Sequence, residues 1–255
     1  MKIKFYFGGE NLKFKNYIII ITVSLIFLLM QFMKVDAEVL TTDQDQKLIL
    51  IDPGHGGFDG GAEVNGVKEK NINLSISLLL KEELVKAGFD VMMTREKDEA
   101  LRLDKSKFKT HKSEDLAARC KMKSDSNCDL FISIHMNMFT ESQYYGGQVW
   151  YSRHPESRKL AELIQQDFKK YIDDKNQRLA KPALGAYKVL RSADTMPGVI
   201  VECGFLSNPG EAKKLKDRDY QKRIAESIAK SIEEYFKDKK VPKSDEFPGK
   251  LTNSL

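Results

Sequence analysis

The chain has 255 residues, 41% hydrophobic and 31% charged, the balance of a globular protein rather than a disordered or fibrous one. Its net charge is only +5, and acids and bases are interspersed. After residue 45 no basic stripe of the kind a nucleic-acid binder concentrates is present, and nucleic acid is excluded as a partner.

Lys2, Lys4, Lys13 and Lys15 precede an uncharged, mostly apolar run at 17–33. As a helix that run would span about 25 Å, slightly short of the ~30 Å hydrocarbon core of a bilayer. The basic flank stays in the cytoplasm, so all that follows is expected to be exported. Val35-Asp36-Ala37 offers small residues of the kind a signal peptidase reads. Residues 1–37 are thus a signal peptide or a membrane anchor, and cleavage stays open. The protein is placed outside the cytoplasm, at the outer face of the cytoplasmic membrane or beyond it. Residues 38–46 read as a linker, leaving roughly 200 residues for one domain with one core.

Residues 47–52 (KLILID) form a short β-branched apolar run stopped by Pro53-Gly54, which predicts a buried strand and an abrupt turn. A glycine-rich stretch follows over 54–66. Ile72, Ile76, Leu79, Leu80 and Leu84 then recur at helical spacing over 69–87, and Gly88 supplies the stop. Residues 89–94 read as a second strand, and strand, helix, strand suggests a parallel pairing. The segment 95–112 is polar and irregular, 113–123 is helical, and 129–135 (DLFISIH) is another buried strand. After a loop at 136–147 come a short strand at 148–151 and a helix opening near Pro155, with Leu160, Leu163, Ile164, Phe168 and Tyr171 as its inner stripe. A polar connection over 173–185 leads to two brief strands, 187–190 and 199–202. Asn208-Pro209 opens a short helix, a last helix spans about 220–236, and the charged tail at 238–255 is expected to be disordered. The domain is therefore drawn over 47–237. No internal repeat is apparent.

Three candidate groups fall at strand ends: His55 just after the first strand, His135 at the end of 129–135, and Glu202 at the end of 199–202. Carboxyl ends of parallel strands share one rim, where sites form. Glu69 sits in the first turn of the helix that leaves the glycine-rich loop. Two imidazoles and a carboxylate suit Zn²⁺ with a fourth position left for water. Each residue also has a plainer reading: a hydrogen-bonded histidine, an acid favoured at a helix N-terminus, a charge at a turn. The stretch 52–57 (DPGHGG) lacks the spacing of a phosphate-binding loop. His111 and His154 lie in polar surroundings and read as surface residues. Cys203 raises a thiol-nucleophile alternative, but adjacent residues on a strand face opposite ways, so Cys203 and Glu202 cannot both face one site. Cys120 and Cys128 are the one near pair, and all three cysteines read best as separate buried or tolerated thiols.

Five stretches carry a resemblance: LILIDPGHGGFDGGA (48–62), EKNINL (69–74), TREKD (94–98), DLFISIHMN (129–137) and VIVECGFLSNP (199–209). In this order they resemble the zinc-dependent N-acetylmuramoyl-L-alanine amidases, which cut stem peptides from peptidoglycan, over roughly 47–236. The resemblance implies a single α/β domain with a twisted, six-stranded, mostly parallel sheet flanked by helices. It implies His55, Glu69 and His135 as ligands to one Zn²⁺ per chain and Glu202 as the catalytic carboxylate. Arg95 and Asn137 fall in its motifs as supporting residues, and Arg119 matches a helix position read as structural. Family members often carry wall-binding repeats or a regulatory helix before the catalytic glutamate; this chain shows neither. It looks most like the short, membrane-targeted spore-cortex amidases, with peptidoglycan as substrate and the cytoplasmic membrane contacted through the N-terminal segment. An activating or localising protein partner would be compatible with this, with no motif behind it. A zinc peptidase acting on stem peptides and a non-catalytic peptidoglycan-binding protein remain as alternatives.

Overall fold

The computed structural model describes residues 17, 19–28, 46–103 and 108–240. The chain divides into two units, residues 1–46 and 47–255. In the first, Tyr17 and residues 19–28 are helical with exposed side chains. No helix among the described residues is long and apolar enough to cross a membrane. The remainder of the expected span, the Val35-Asp36-Ala37 stretch, the linker up to residue 45 and the tail from residue 241 lie outside the described residues.

The second unit is built on β1 (Leu48–Pro53), β4 (Asp90–Met93), β5 (Leu130–Asn137), β6 (Gln148–Tyr151), β7 (Lys181–Pro182) and β8 (Gly198–Phe205). They form one six-stranded sheet in the order β4-β1-β5-β8-β6-β7. Neighbours from β4 to β8 run parallel, β6 is antiparallel to β8, and β7 is parallel to β6. The mostly parallel sheet implied by the resemblance is therefore present. Its central strands β1, β5 and β8 are buried almost throughout, as expected when helices cover both faces.

Strand alternation divides the interior in two. Ile49, Ile51, Ile132, Ile134, Val199 and Val201 face one layer, made by α1 (Glu69–Lys86), α3 (Ser157–Asp167) and α6 (Arg218–Lys240). Leu50, Phe131 and Ile200 face the other, where α2 (His111–Asp125) and α4 (Lys188–Arg191) pack. In α1 the stripe Ile72, Ile76, Leu79, Leu80 and Leu84 is buried as its spacing predicts, and Gly88 ends the helix with φ +87°. A short helix, α5 (Pro209–Leu215), begins at the Asn208 cap, whose side chain accepts from Glu211 N.

Several local readings change. Residues 187–190, expected as a strand, are the helical turn α4 with Tyr187 at its N-cap. Val189 and Leu190 are both buried, which successive residues of a strand would not be on one face. Lys123, fully buried, donates to Val189 O (3.0 Å) and Ser192 O (2.9 Å), satisfying carbonyls at that helix end. β7 arises within the expected polar connection by pairing Trp150 with Lys181 and Tyr151 with Pro182. The glycine-rich loop contains a two-stranded hairpin, β2 (Glu63–Val64) and β3 (Val67–Lys68), turned by Asn65 (φ +50°) and Gly66 (φ +75°), the Asn-Gly chemistry of a two-residue turn. β5 and β8 run past His135 and Glu202 to Asn137 and Phe205, so both residues sit inside strands rather than at their last positions. Helix α3 closes in a π-helical turn, Phe168–Ile172, and α6 continues through Lys240.

One charged cluster lies in the interior beneath the rim. Asp52 Oδ1 accepts from Thr94 Oγ1 (2.7 Å) and Arg119 Nη1 (2.6 Å), and Oδ2 accepts from Ser133 Oγ (2.7 Å). Burial pushes the Asp52 carboxyl up, but the Arg119 charge and these hydrogen bonds outweigh it and hold it below its ordinary value. Arg119 Nε also donates to Asp115 Oδ2 at 2.7 Å. Arg119→Met would leave two carboxylates unpaired and should cost about 3–5 kcal/mol in urea unfolding. Because folding lowers the Asp52 pKa, its stabilisation is complete above the unfolded value and is lost as pH falls through the folded one. Asp52→Asn should therefore flatten the acid-side decline of stability below the ordinary value of 3.8; an unchanged decline would show that Asp52 does not titrate with unfolding.

Candidate metal centre and active site

The site begins where β1 ends. His55 has φ +61°, a left-handed backbone that a residue with a Cβ rarely adopts. Two arginines hold the chain there. Arg95 Nε donates to Pro53 O (3.0 Å) and its Nη2 to Gly54 O (2.9 Å) and Lys70 O (2.9 Å). Arg119 Nη1 donates to Pro53 O (2.8 Å) and its Nη2 to His55 O (2.6 Å). Three successive carbonyls are thus gripped by guanidinium forks, a geometry lysine cannot supply. Burial and the nearby charge of Arg119 pull Arg95 down to about 10.

Glu69 is the first residue of α1 and is buried. Its Oε1 lies 3.2 Å from His55 Nε2 and 3.0 Å from His135 Nδ1. The same oxygen accepts from Met136 N (3.1 Å) and Asn73 Nδ2 (3.2 Å), while Oε2 accepts from Ala62 N (2.8 Å). Burial favours the neutral acid, but hydrogen bonds from His135 and His55 prevail and keep the carboxyl far below the usual range. His135 shows the converse: burial lowers it, and the Glu69 carboxylate more than compensates and raises it. The rings of His55 and His135 meet edge to face with centroids 5.0 Å apart.

Glycines make this convergence sterically allowed. A Cβ on Gly54 would fall 2.2 Å from His135 Cε1, and one on Gly61 would fall 2.5 Å from Glu69 Oε2. The result is one ligand atom from each of His55, Glu69 and His135, all within 4.8 Å of one another. Two imidazole nitrogens and a carboxylate oxygen are a donor set for a divalent cation with an open position.

Glu202 stands beside them. It is the register partner of His135 on the adjacent parallel strand, so both side chains leave the same face. Its Oε2 is buried with no hydrogen-bond partner, an orphan that calls for an explanation. Burial, reinforced by the Glu69 charge against the opposing pull of His135, raises Glu202 to about 7. That value suits a group that takes and returns a proton near neutrality. The cleft in front of the histidines has a volume of about 220 Å³ and is lined by Asp59, Arg119, Tyr187 and Lys188 among others.

Other sequence candidates stay outside the ligand cluster. Asn137 Oδ1 accepts from Met138 N at 2.9 Å, a contact with its chain neighbour at the end of β5. His111 lies 2.6 Å from Arg102 Nη1 and against the Phe58 ring. Cys203 is in the apolar core on the opposite sheet face, and burial pushes its thiol well above the usual range, which removes the thiol-nucleophile alternative. All three cysteines are free and buried. Sequence reasoning assigned nothing to Asp59, whose Oδ2 lies 2.9 Å from His55 Nδ1; a carboxylate four residues after a candidate ligand was the available signal.

The profile of the N-acetylmuramoyl-L-alanine amidase family matches residues 49–234, nearly all of the second unit. The chain belongs to this amidase family. The germination-specific N-acetylmuramoyl-L-alanine amidase of Bacillus subtilis is 38% identical over 198 residues, 77% of this chain and 82% of that protein. Among solved structures, the CwlD amidase of Clostridioides difficile, in complex with the GerS lipoprotein, is 38% identical, with a TM-score of 0.71 over 76% of this chain and 100% of that one. Another N-acetylmuramoyl-L-alanine amidase, from Clostridium difficile 630, is 28% identical, with a TM-score of 0.67 over 77% of this chain and 100% of that one. This amidase thus has the family's α/β sheet and brings members of all five motifs, among them His55, Glu69, Arg95, His135 and Glu202, to one rim.

The Gly54 contact gives a direct check on the geometry. Gly54→Ala must displace the His135 ring and should reduce divalent-metal binding at least about tenfold, measured by calorimetric titration, with a far-ultraviolet dichroism spectrum like the wild type. Undiminished binding would mean that His135 is not held against that glycine.

Proposed function

We propose that this amidase is an exported zinc enzyme that hydrolyses the amide between the lactyl group of N-acetylmuramic acid and L-alanine in peptidoglycan, in cortex remodelling linked to muramic-lactam formation. His55, Glu69 and His135 hold one Zn²⁺, and Glu202 is the general base and acid. The observation that carries this reading is the placement of Glu202, with an unpartnered buried Oε2, in register with His135 beside the ligand set. The cortex assignment is supported by the likeness to a relative named as germination-specific. The solved neighbour's complex with a lipoprotein supports a protein partner at the envelope for this chain as well. The N-terminal segment serves export and membrane contact.

When bound, zinc supplies Lewis acidity toward the scissile carbonyl and lowers the pKa of water toward ~7. Glu202 takes a proton from the attacking water. It returns a proton to the alanine nitrogen, which leaves poorly as an anion. Burial favours the protonated form of this carboxyl group and so helps it hold the proton between the two transfers. Arg95 and Arg119 keep the His55 loop in its left-handed turn, so the ligand set is formed before substrate arrives.

Glu202→Gln should lower kcat by ~10²–10⁴ while leaving zinc stoichiometry intact, whereas His55→Ala and His135→Ala should lose zinc and activity together. Mass spectrometry of purified sacculi, with metal analysis of each variant, measures both. Free stem peptides with intact glycan identify the amidase, shortened peptides a peptidase, and unchanged sacculi with zinc present a binding protein. Release of stem peptides by Glu202→Gln at the wild-type rate would overturn the base assignment.

A further inference from the structure

We infer that Asp59 is the positioning residue of the metal centre: its carboxylate accepts the Nδ1–H of His55 and leaves Nε2 as the electron-pair donor facing Glu69 and His135. This rests on the zinc-site reading above and adds a residue to it.

The geometry leaves little freedom. A neutral imidazole has one N–H and one lone pair, and an ionised carboxylate only accepts. His55 Nδ1 lies 2.9 Å from Asp59 Oδ2 and Nε2 lies 3.2 Å from Glu69 Oε1; a cation held at Nε2 would take the lone pair there and leave the single N–H of the neutral ring on Nδ1, where Asp59 accepts it. His135 has the opposite orientation, with Nδ1 toward the same carboxylate at 3.0 Å. The two imidazoles therefore need different restraints, and the one for His55 is Asp59. Metal-bound histidines gain basicity and a fixed ring orientation from such a carboxylate.

Asp59 is itself held in place. Its backbone exchanges hydrogen bonds with Gly56, Gly56 N to Asp59 O at 2.9 Å and Asp59 N to Gly56 O at 3.1 Å, closing the loop just after His55. Its Oδ1 accepts from Gly61 N at 3.2 Å, which leaves Oδ2 for the imidazole. Lys112 Nζ approaches that Oδ2 at 3.3 Å from the exposed side, a longer contact than the one to His55. Arg119 restrains the His55 backbone through its carbonyl, and Asp59 restrains the ring. The two restraints act on different bonds and are separable by mutation.

The test is a zinc competition titration of the full-length protein against a chromophoric chelator. Asp59→Ala should weaken zinc binding by about 10–100-fold, and Asp59→Asn, whose amide oxygen still accepts the Nδ1–H, should fall between it and the wild type. Long-range ¹H–¹⁵N spectra of the zinc-loaded wild type should show the His55 proton on Nδ1, a signature that a merely structural aspartate would not set. Asp59→Ala binding zinc within about twofold of wild type, or a His55 proton found on Nε2, overturns the inference. A wild-type chain that binds no zinc overturns the zinc-site reading itself, and this inference with it.

Discussion

An ionised carboxylate buried at the start of a helix is the constraint on which the rest of this domain is arranged. Left alone, Glu69 would take up a proton, because burial penalises its charge. It stays ionised by drawing donors from different parts of the chain: His55 after β1, Ala62 at the hairpin, Asn73 one turn along α1, and His135 and Met136 on β5. The N-terminus of α1 adds its own favourable field. Satisfying one side chain thus ties the glycine-rich loop, the first helix and a central strand into one unit. The same convergence assembles a ligand set.

The sheet supplies the second half of that arrangement. Alternation along β1, β5 and β8 sends Ile49, Ile51, Ile132, Ile134, Val199 and Val201 into one apolar layer. On the other face, apolar Leu50 and Phe131 give way toward the carboxyl ends to Asp52 and Ser133, and then to His135 and Glu202. Polar groups there are buried, so each must be partnered or must have a chemical reason to be left unpaired. Asp52 is partnered by Arg119, Thr94 and Ser133. Glu202 is left with an unpaired oxygen, and that difference separates the two buried carboxylates of this face.

The two arginines connect these layers. Arg119 spans from Asp52 and Asp115 to the His55 carbonyl, and Arg95 holds the two carbonyls before it. Backbone strain at His55 is therefore maintained by groups anchored in the interior, as strained functional positions require.

The sequence by itself determined the element types with strong periodicity: the buried strands of DLFISIH and KLILID, the α1 stripe, and the ordered motifs that name His55, Glu69, His135 and Glu202. These were legible because alternation and the 3.6-residue repeat are local properties. The Asn65-Gly66 pair inside the glycine-rich stretch is a turn signal of the same local kind. Tertiary structure alone decided that Tyr187 caps a helix, since α4 forms where Lys123 reaches the Val189 and Ser192 carbonyls. It alone decided that Arg95 and Arg119 donate to backbone carbonyls, and that Asp59 lies within hydrogen-bond distance of the His55 ring. Those roles are distances between residues far apart in the chain or bent together by a turn, and no local repeat records them. Register made the final decision: pairing β5 with β8 so that His135 meets Glu202 puts the two side chains on one face, where a slip by one residue would have sent Glu202 into the apolar core.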